Sequence, residues 1–167
     1  MSRLLLGLET DEAQRAFELA TREALHSLCL RSRCGAVIIS SSGASIGAGY
    51  NSPPLDCPIA VCRKDSLPSD FRSDRTCCVH AEQRAVYDAL AHHAGELAGS
   101  TIYFVRLDQA GAPERAGEPY CTICSKAVLD VGIGTFVLWQ ERGFVAYGAA
   151  EYNDLSFAYR RDRPIDV

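Results

Sequence analysis

The chain has 167 residues, 47% of them hydrophobic and 23% charged, enough for one domain to bury a full core and unlike disordered or fibrous sequences. A formal net charge of −4 gives no overall attraction to a polyanion, so a small molecule is a better expected partner than a nucleic-acid polymer. The apolar run LLLG is too short to span a bilayer and MSRLLLGLET lacks a secretory h-region, so no membrane partner and a cytoplasmic location are expected.

Residues 11–30, DEAQRAFELATREALHSLCL, bring Ala13, Ala16, Phe17, Ala20, Ala24, Leu25 and Leu28 near helical spacing behind an acidic start, which predicts an amphipathic helix. CGAVIIS at 34–40 and SIGAGYN at 45–51 flank a turn, SSGA, and read as a hairpin. From 52 to 76 the chain carries Pro53, Pro54, Pro58 and Pro68 among scattered charges, an irregular loop long enough to be functional or tied down. A helix is predicted over 79–93, a buried strand TIYFVRL over 101–107 and a loop over 108–119. A further helix over 121–132 stops at Gly132 or Gly134, and TFVLW over 135–139 is the next strand. This order implies α/β layers in a single domain, residues 1–167, with later strands parallel through helical crossovers. The segment bearing Tyr147, Tyr152, Phe157 and Tyr159 has no period that assigns it.

Eight cysteines could suggest four disulfides, but in a reducing compartment spaced cysteines serve more often as metal ligands, catalytic groups or core filler. Cys121 and Cys124 form a C-x-x-C at the start of a helix, where a spacing of three turns both sulfurs to one side and the helix dipole favours thiolates. Alone, the pair could equally be a redox motif, half a structural zinc site or two core thiols. His80 alone is as well explained by a helix cap.

Together, two thiolates and one imidazole make three zinc ligands and leave the fourth tetrahedral position to water, whose pKa zinc lowers toward neutrality. Glu82, two residues beyond His80, stands beside that position as the proton carrier, while Ala81 between them leaves room for a ring. H-x-E followed by P-C-x-x-C is the signature of zinc deaminases, in which the glutamate is acid and base rather than ligand.

The segments RSRCGAVIIS, GAGYNSPP, CRKDSLPS, CCVHAEQRAV, TIYFV and CTICSKAVLDVGI, spanning roughly residues 31 to 138 in this order, closely resemble the cytidine and deoxycytidylate deaminase superfamily, most of all its dCMP deaminase branch. The resemblance implies a three-layer α/β/α sandwich around a mixed five-stranded sheet, one catalytic zinc per subunit and homo-oligomers. It further implies substrate contacts from Asn51 and from the backbone around Ala81. Without it, Asn51 reads as a turn residue after a strand. The expected reaction is hydrolytic deamination of a cytosine nucleotide, dCMP to dUMP, with attack at C4 and Glu82 moving protons to N3 and the leaving amino group.

The sequence departs from the family beside the metal. Proline normally precedes the first cysteine of C-x-x-C, whereas here the order is Pro119, Tyr120, Cys121, after a longer loop, DQAGAPERAGEP. Tyr120 could enter the substrate pocket or pack on its own loop. Some dCMP deaminases carry a second, structural zinc in the region of Cys57, Cys62, Cys77 and Cys78; packed free thiols are the alternative. Cys29 and Cys34 are expected in the core. The cations near the motifs are Arg31, Arg33, Arg63, Lys64, Arg72, Arg75, Arg84 and Lys126, one or two of which would read a 5′-phosphate while most form a solvated surface. His92 and His93 read as exposed helix-end groups. Other readings are a deaminase of a free base, nucleoside, modified pyrimidine or tRNA adenosine on the same fold, a nucleotide-binding regulatory descendant without activity, or a cysteine-rich zinc or redox module, which would have no need of Glu82.

Overall fold

Backbone approach between a strand and a helix governs the architecture. In a computed structural model, described for residues 1–68 and 77–159, the hairpin strands β2 (Arg33–Ile39) and β3 (Ser45–Tyr50) carry Gly47 and Gly49 on β3, facing helix α2 (Ala81–His92). A Cβ built on Gly49 would lie 2.5 Å from the Ala85 nitrogen, and one on Gly47 2.5 Å from the Ala85 oxygen. Ala81, Ala85 and Ala89, spaced by four and all buried, complete a small-residue seam that lets the helix press onto the strand.

The remaining elements are β1 (Arg3–Leu4), α1 (Leu8–Ala24), β4 (Thr101–Leu107), β5 (Pro113–Glu114), α3 (Thr122–Asp130), β6 (Thr135–Gln140), β7 (Gly143–Gly148) and α4 (Ala149–Ala158), with short 3₁₀ turns at Pro54–Asp56, Arg63–Ser66 and Ala94–Glu96. Strands run in the order β1-β7-β6-β4-β2-β3, with β5 added to β4. Among the described strands only β4 and β6 pair in parallel. Alternation splits the sheet: Val37, Tyr103, Val105 and Val137 pack on α1, whereas Ile38, Ile102, Phe104, Phe136 and Leu138 pack on the side of α2, α3 and Tyr152 of α4.

The described residues form seven strands, not the expected five, because β1 and β5 are two-residue pieces, too short to show a period. Helix α1 starts at Leu8, after Gly7 at φ +55°, and ends at Ala24 rather than near residue 30. The chain turns there because the Ser27 hydroxyl donates to the Asn51 carbonyl at 2.6 Å, leaving Leu25 and Leu28 substantially exposed. The unassigned C-terminal segment contains β7 and α4. Tyr152 stacks on Phe136 with ring centroids 3.9 Å apart, and the Ser125 hydroxyl of α3 donates to Asn153 Oδ1 at 2.9 Å. No described helix is long and apolar enough to cross a membrane.

Candidate metal centre and active site

Helices α2 and α3 each lead into a strand of one parallel pair, so both run back against β4 and β6, and their N-termini meet at the C-terminal end of β4. His80 immediately precedes α2 and donates its backbone N–H to Gln83 Oε1 at 3.2 Å. Cys121 immediately precedes α3, and Cys124 lies in its first turn. His80 Nδ1 is 3.3 Å from Cys121 Sγ and 3.1 Å from Cys124 Sγ, and the sulfurs are 3.2 Å apart.

Among the described residues this is the one group of three or more possible ligands whose donor atoms all lie within 4.8 Å of one another. Tetrahedral zinc with ordinary Zn–S and Zn–N lengths needs ligand separations of roughly 3.5 to 3.8 Å. The three atoms are therefore within about half an ångström of that requirement, and two sulfurs with an imidazole are a donor set zinc favours. Both cysteines are buried.

The electrostatics suit a cation. The hydrogen-bonded Cys124 thiol, joined by His80, brings Cys121 down to about 4 despite burial, while desolvation pushes the enclosed Cys124 well up. One sulfur is thus a ready thiolate, and a divalent ion between them would supply the charge for the second to ionise. Burial works against protonation of His80, but the Cys121 sulfur and Glu82 outweigh it and raise its pKa. Glu82, 6% exposed, is pushed up to about 7, chiefly by desolvation and then by the Cys121 charge.

His80 and Glu82 line a cavity of about 360 Å³. Asn51, Ala81 and Tyr120, the expected substrate contacts, all line it, with Phe104 and Arg106. Asn51 Oδ1 accepts from the Cys34 backbone N–H and the Ser27 hydroxyl, each at 2.7 Å, and its amide donates to the Ser32 carbonyl at 2.7 Å. It therefore braces the start of β2 and keeps one amide N–H for other use. Tyr120 is 38% exposed, and its ring centroid lies 5.7 Å from that of Tyr159.

The long loop that delivers Tyr120 is anchored. Strand β6 pairs with β4 only through Phe104, and β5 takes up Arg106 and Leu107 beyond that point. Arg115 lies over the Trp139 ring at 3.5 Å, the Ala116 N–H donates to the Trp139 carbonyl at 2.7 Å, and Gln140 Nε2 donates to the Gly117 carbonyl at 3.0 Å. The insertion thus fastens itself to β4 and β6 before Cys121.

Of the expected cations, Arg31 and Lys64 line the cavity. Arg31 is paired with Asp65 at 3.0 Å. Arg84 is paired with Asp56 at 3.0 Å and donates to the Pro53 carbonyl at 3.0 Å, tying the proline-rich loop to α2. Arg72 and Arg75 fall outside the described residues. Sequence reading passed over Arg106; the available signal was one charge in the otherwise apolar TIYFVRL, in phase with Ile102 and Phe104.

The other cysteines are distributed differently from expectation. Cys34 packs partly against the core, but it and Cys29 line the cavity, because α1 ends early and the chain crosses the cavity rim. Among the possible ligands of a second zinc, Cys62 and Cys77 approach to 3.6 Å, Cys78 is influenced by Cys29, and exposed Cys57 contacts the Leu55 carbonyl at 3.9 Å. Cys77 also interacts with Cys78, but among the described residues no three of these sulfurs lie within 4.8 Å of one another.

The family model for the cytidine and deoxycytidylate deaminase zinc-binding region matches residues 10–140. Among solved structures, the dCMP deaminase of cyanophage S-TIM5 in apo form is 19% identical, covering 75% of this chain and 80% of its own, with a TM-score of 0.51. The cytidine deaminase of Burkholderia pseudomallei is 18% identical over 83% of this chain and 94% of its own, with a TM-score of 0.53. At such identities these two speak for the fold. No curated protein matches the chain.

Proposed function

The chain belongs to the cytidine and deoxycytidylate deaminase family, and from that premise we propose that it converts a cytosine-containing nucleotide, dCMP foremost, to the uracil nucleotide with release of ammonia. The observation that carries this reading is the buried Glu82 carboxyl, which lines a cavity of about 360 Å³ together with His80, one of three converging donors with Cys121 and Cys124. Zinc held by those three residues supplies the Lewis acidity that makes water a nucleophile near neutral pH.

Glu82 takes a proton from the attacking water and passes it to ring N3 as oxygen adds to C4. It then moves the second proton to the amino group, which leaves as ammonia, so that one water is consumed and the carboxylate is restored. Phe104 offers the ring an apolar face, Ala81 occupies little of the space beside it, and Asn51 retains an amide N–H for the substrate. Tyr120 borders the outer wall in place of the family's proline. The cavity's formally charged side chains, Arg31, Lys64 and Arg106 against Glu82, favour an anionic ligand even though the whole chain carries −4, which supports a nucleotide over a nucleoside. A cytoplasmic homo-oligomer belongs to the same proposal, and light scattering reads its subunit number.

Ammonia release and base absorbance are to be followed with dCMP, CMP, deoxycytidine, cytidine, cytosine, adenine, guanine and short single-stranded DNA. The expected order puts dCMP above deoxycytidine. Turnover confined to a purine, or no turnover with any of these substrates, would overturn the proposal.

A further inference from the structure

We infer that Arg106 is the residue that reads the anionic group of the substrate, gripping its phosphate from the end of β4. The inference rests on the nucleotide reading above and gives it a specific side chain. Arg106 shares the sheet face of Ile102 and Phe104, which pack toward α2 and α3, and it lines the cavity together with Phe104, Glu82 and Tyr120. It is only partly exposed, so its guanidinium has lost part of its water and requires a partner.

No such partner exists among the described residues. Arg106 makes no side-chain hydrogen bond and no ion pair, unlike Arg31, Arg33, Arg84 and Arg115, each held by a carboxylate or a carbonyl. Glu114 stands directly across from it in the β4–β5 pair, where an opposite charge would ordinarily be taken up, yet Glu114 is exposed and forms no bridge. The backbone beneath Arg106 is held from both sides, paired to Cys34 on β2 and to Glu114 on β5. The doubly paired strand fixes where the side chain starts, and a guanidinium offers a planar fork whose geometry matches two phosphate oxygens.

The test compares equilibrium binding of dUMP and deoxyuridine, which do not react further, in the zinc-loaded wild-type protein, Arg106→Gln and Arg106→Lys. Kinetics with dCMP and deoxycytidine run in parallel. Wild-type protein should bind dUMP far more tightly than deoxyuridine. Arg106→Gln should lose between about 10- and 100-fold in dUMP affinity, the range for a hydrogen bond to a charged group, with deoxyuridine binding, zinc content and Tm unchanged. Arg106→Lys, which keeps the charge and loses the fork, should fall between the two and serves as the test if the glutamine variant does not fold. If wild-type protein prefers dUMP and both variants keep that preference, Arg106 is overturned while the nucleotide reading stands. Equal losses for dUMP and deoxyuridine assign Arg106 to packing and also overturn it. Absence of any preference in wild-type protein fails the nucleotide reading, and the inference with it.

Discussion

Cys62 and Cys77 line the cavity, Cys121 and Cys124 are buried against its His80, and the two groups differ in what the backbone does with them. Cys121 and Cys124 ride on the first turn of α3, opposite the first turn of α2, so three donor atoms from segments forty residues apart converge to 3.1–3.3 Å. Cys62 and Cys77 approach to 3.6 Å, and among the described residues no third ligand closes on both. Burial and thiol chemistry are available to both groups. Among the described residues convergence of three donors comes only where two helices anchored on the sheet point their N-termini at one spot, which makes the first group a metal centre.

The comparison is broken most severely by removing a ligand. Cys124→Ala or His80→Ala should lose bound zinc, read by elemental analysis, and reduce ammonia release to background. Next comes Glu82→Gln, which should retain one zinc per chain while turnover drops by about 10² to 10⁴-fold, the usual worth of a placed acid–base group. Full activity in that variant would remove the proton carrier from the mechanism.

Convergence also depends on how closely α2 sits on β3. Gly49→Ala would insert a methyl 2.5 Å from the Ala85 nitrogen and should cost about 1–3 kcal/mol, seen as a Tm lower by roughly 2–4 °C per kcal/mol. The smallest effect is expected from Cys62→Ser combined with Cys77→Ser. Zinc content should stay at one per chain, with stability altered by about 1 kcal/mol or less; loss of a metal equivalent would show that this pair belongs to a second centre.

The metal centre was readable where chemistry demands a fixed spacing. His80, Cys121 and Cys124 stand out because a tetrahedral metal constrains residue type and separation, Glu82 because the proposed reaction needs a proton carrier next to it, and TIYFVRL because a central strand must be largely apolar. Arg106 did not, since strand periodicity says which face a residue shares but nothing about whether its charge finds a partner there. The early end of α1 was equally hidden. Leu25 and Leu28 continue the helical apolar spacing, and the capture of Ser27 by Asn51, just beyond β3, stops the helix.

The sequence alone determined an α/β chain and the residue types of a zinc deaminase centre, because helical and strand periods and ligand spacings are local properties. Tertiary structure decided which cysteines converge, that β1 and β5 extend the sheet to seven strands, that the inserted loop is fastened to Trp139 and Gln140, and that Arg106 lines the cavity with no partner among the described residues. Each depends on contacts between segments far apart in the chain, whose distances are set by packing across the sheet and not by neighbours in sequence.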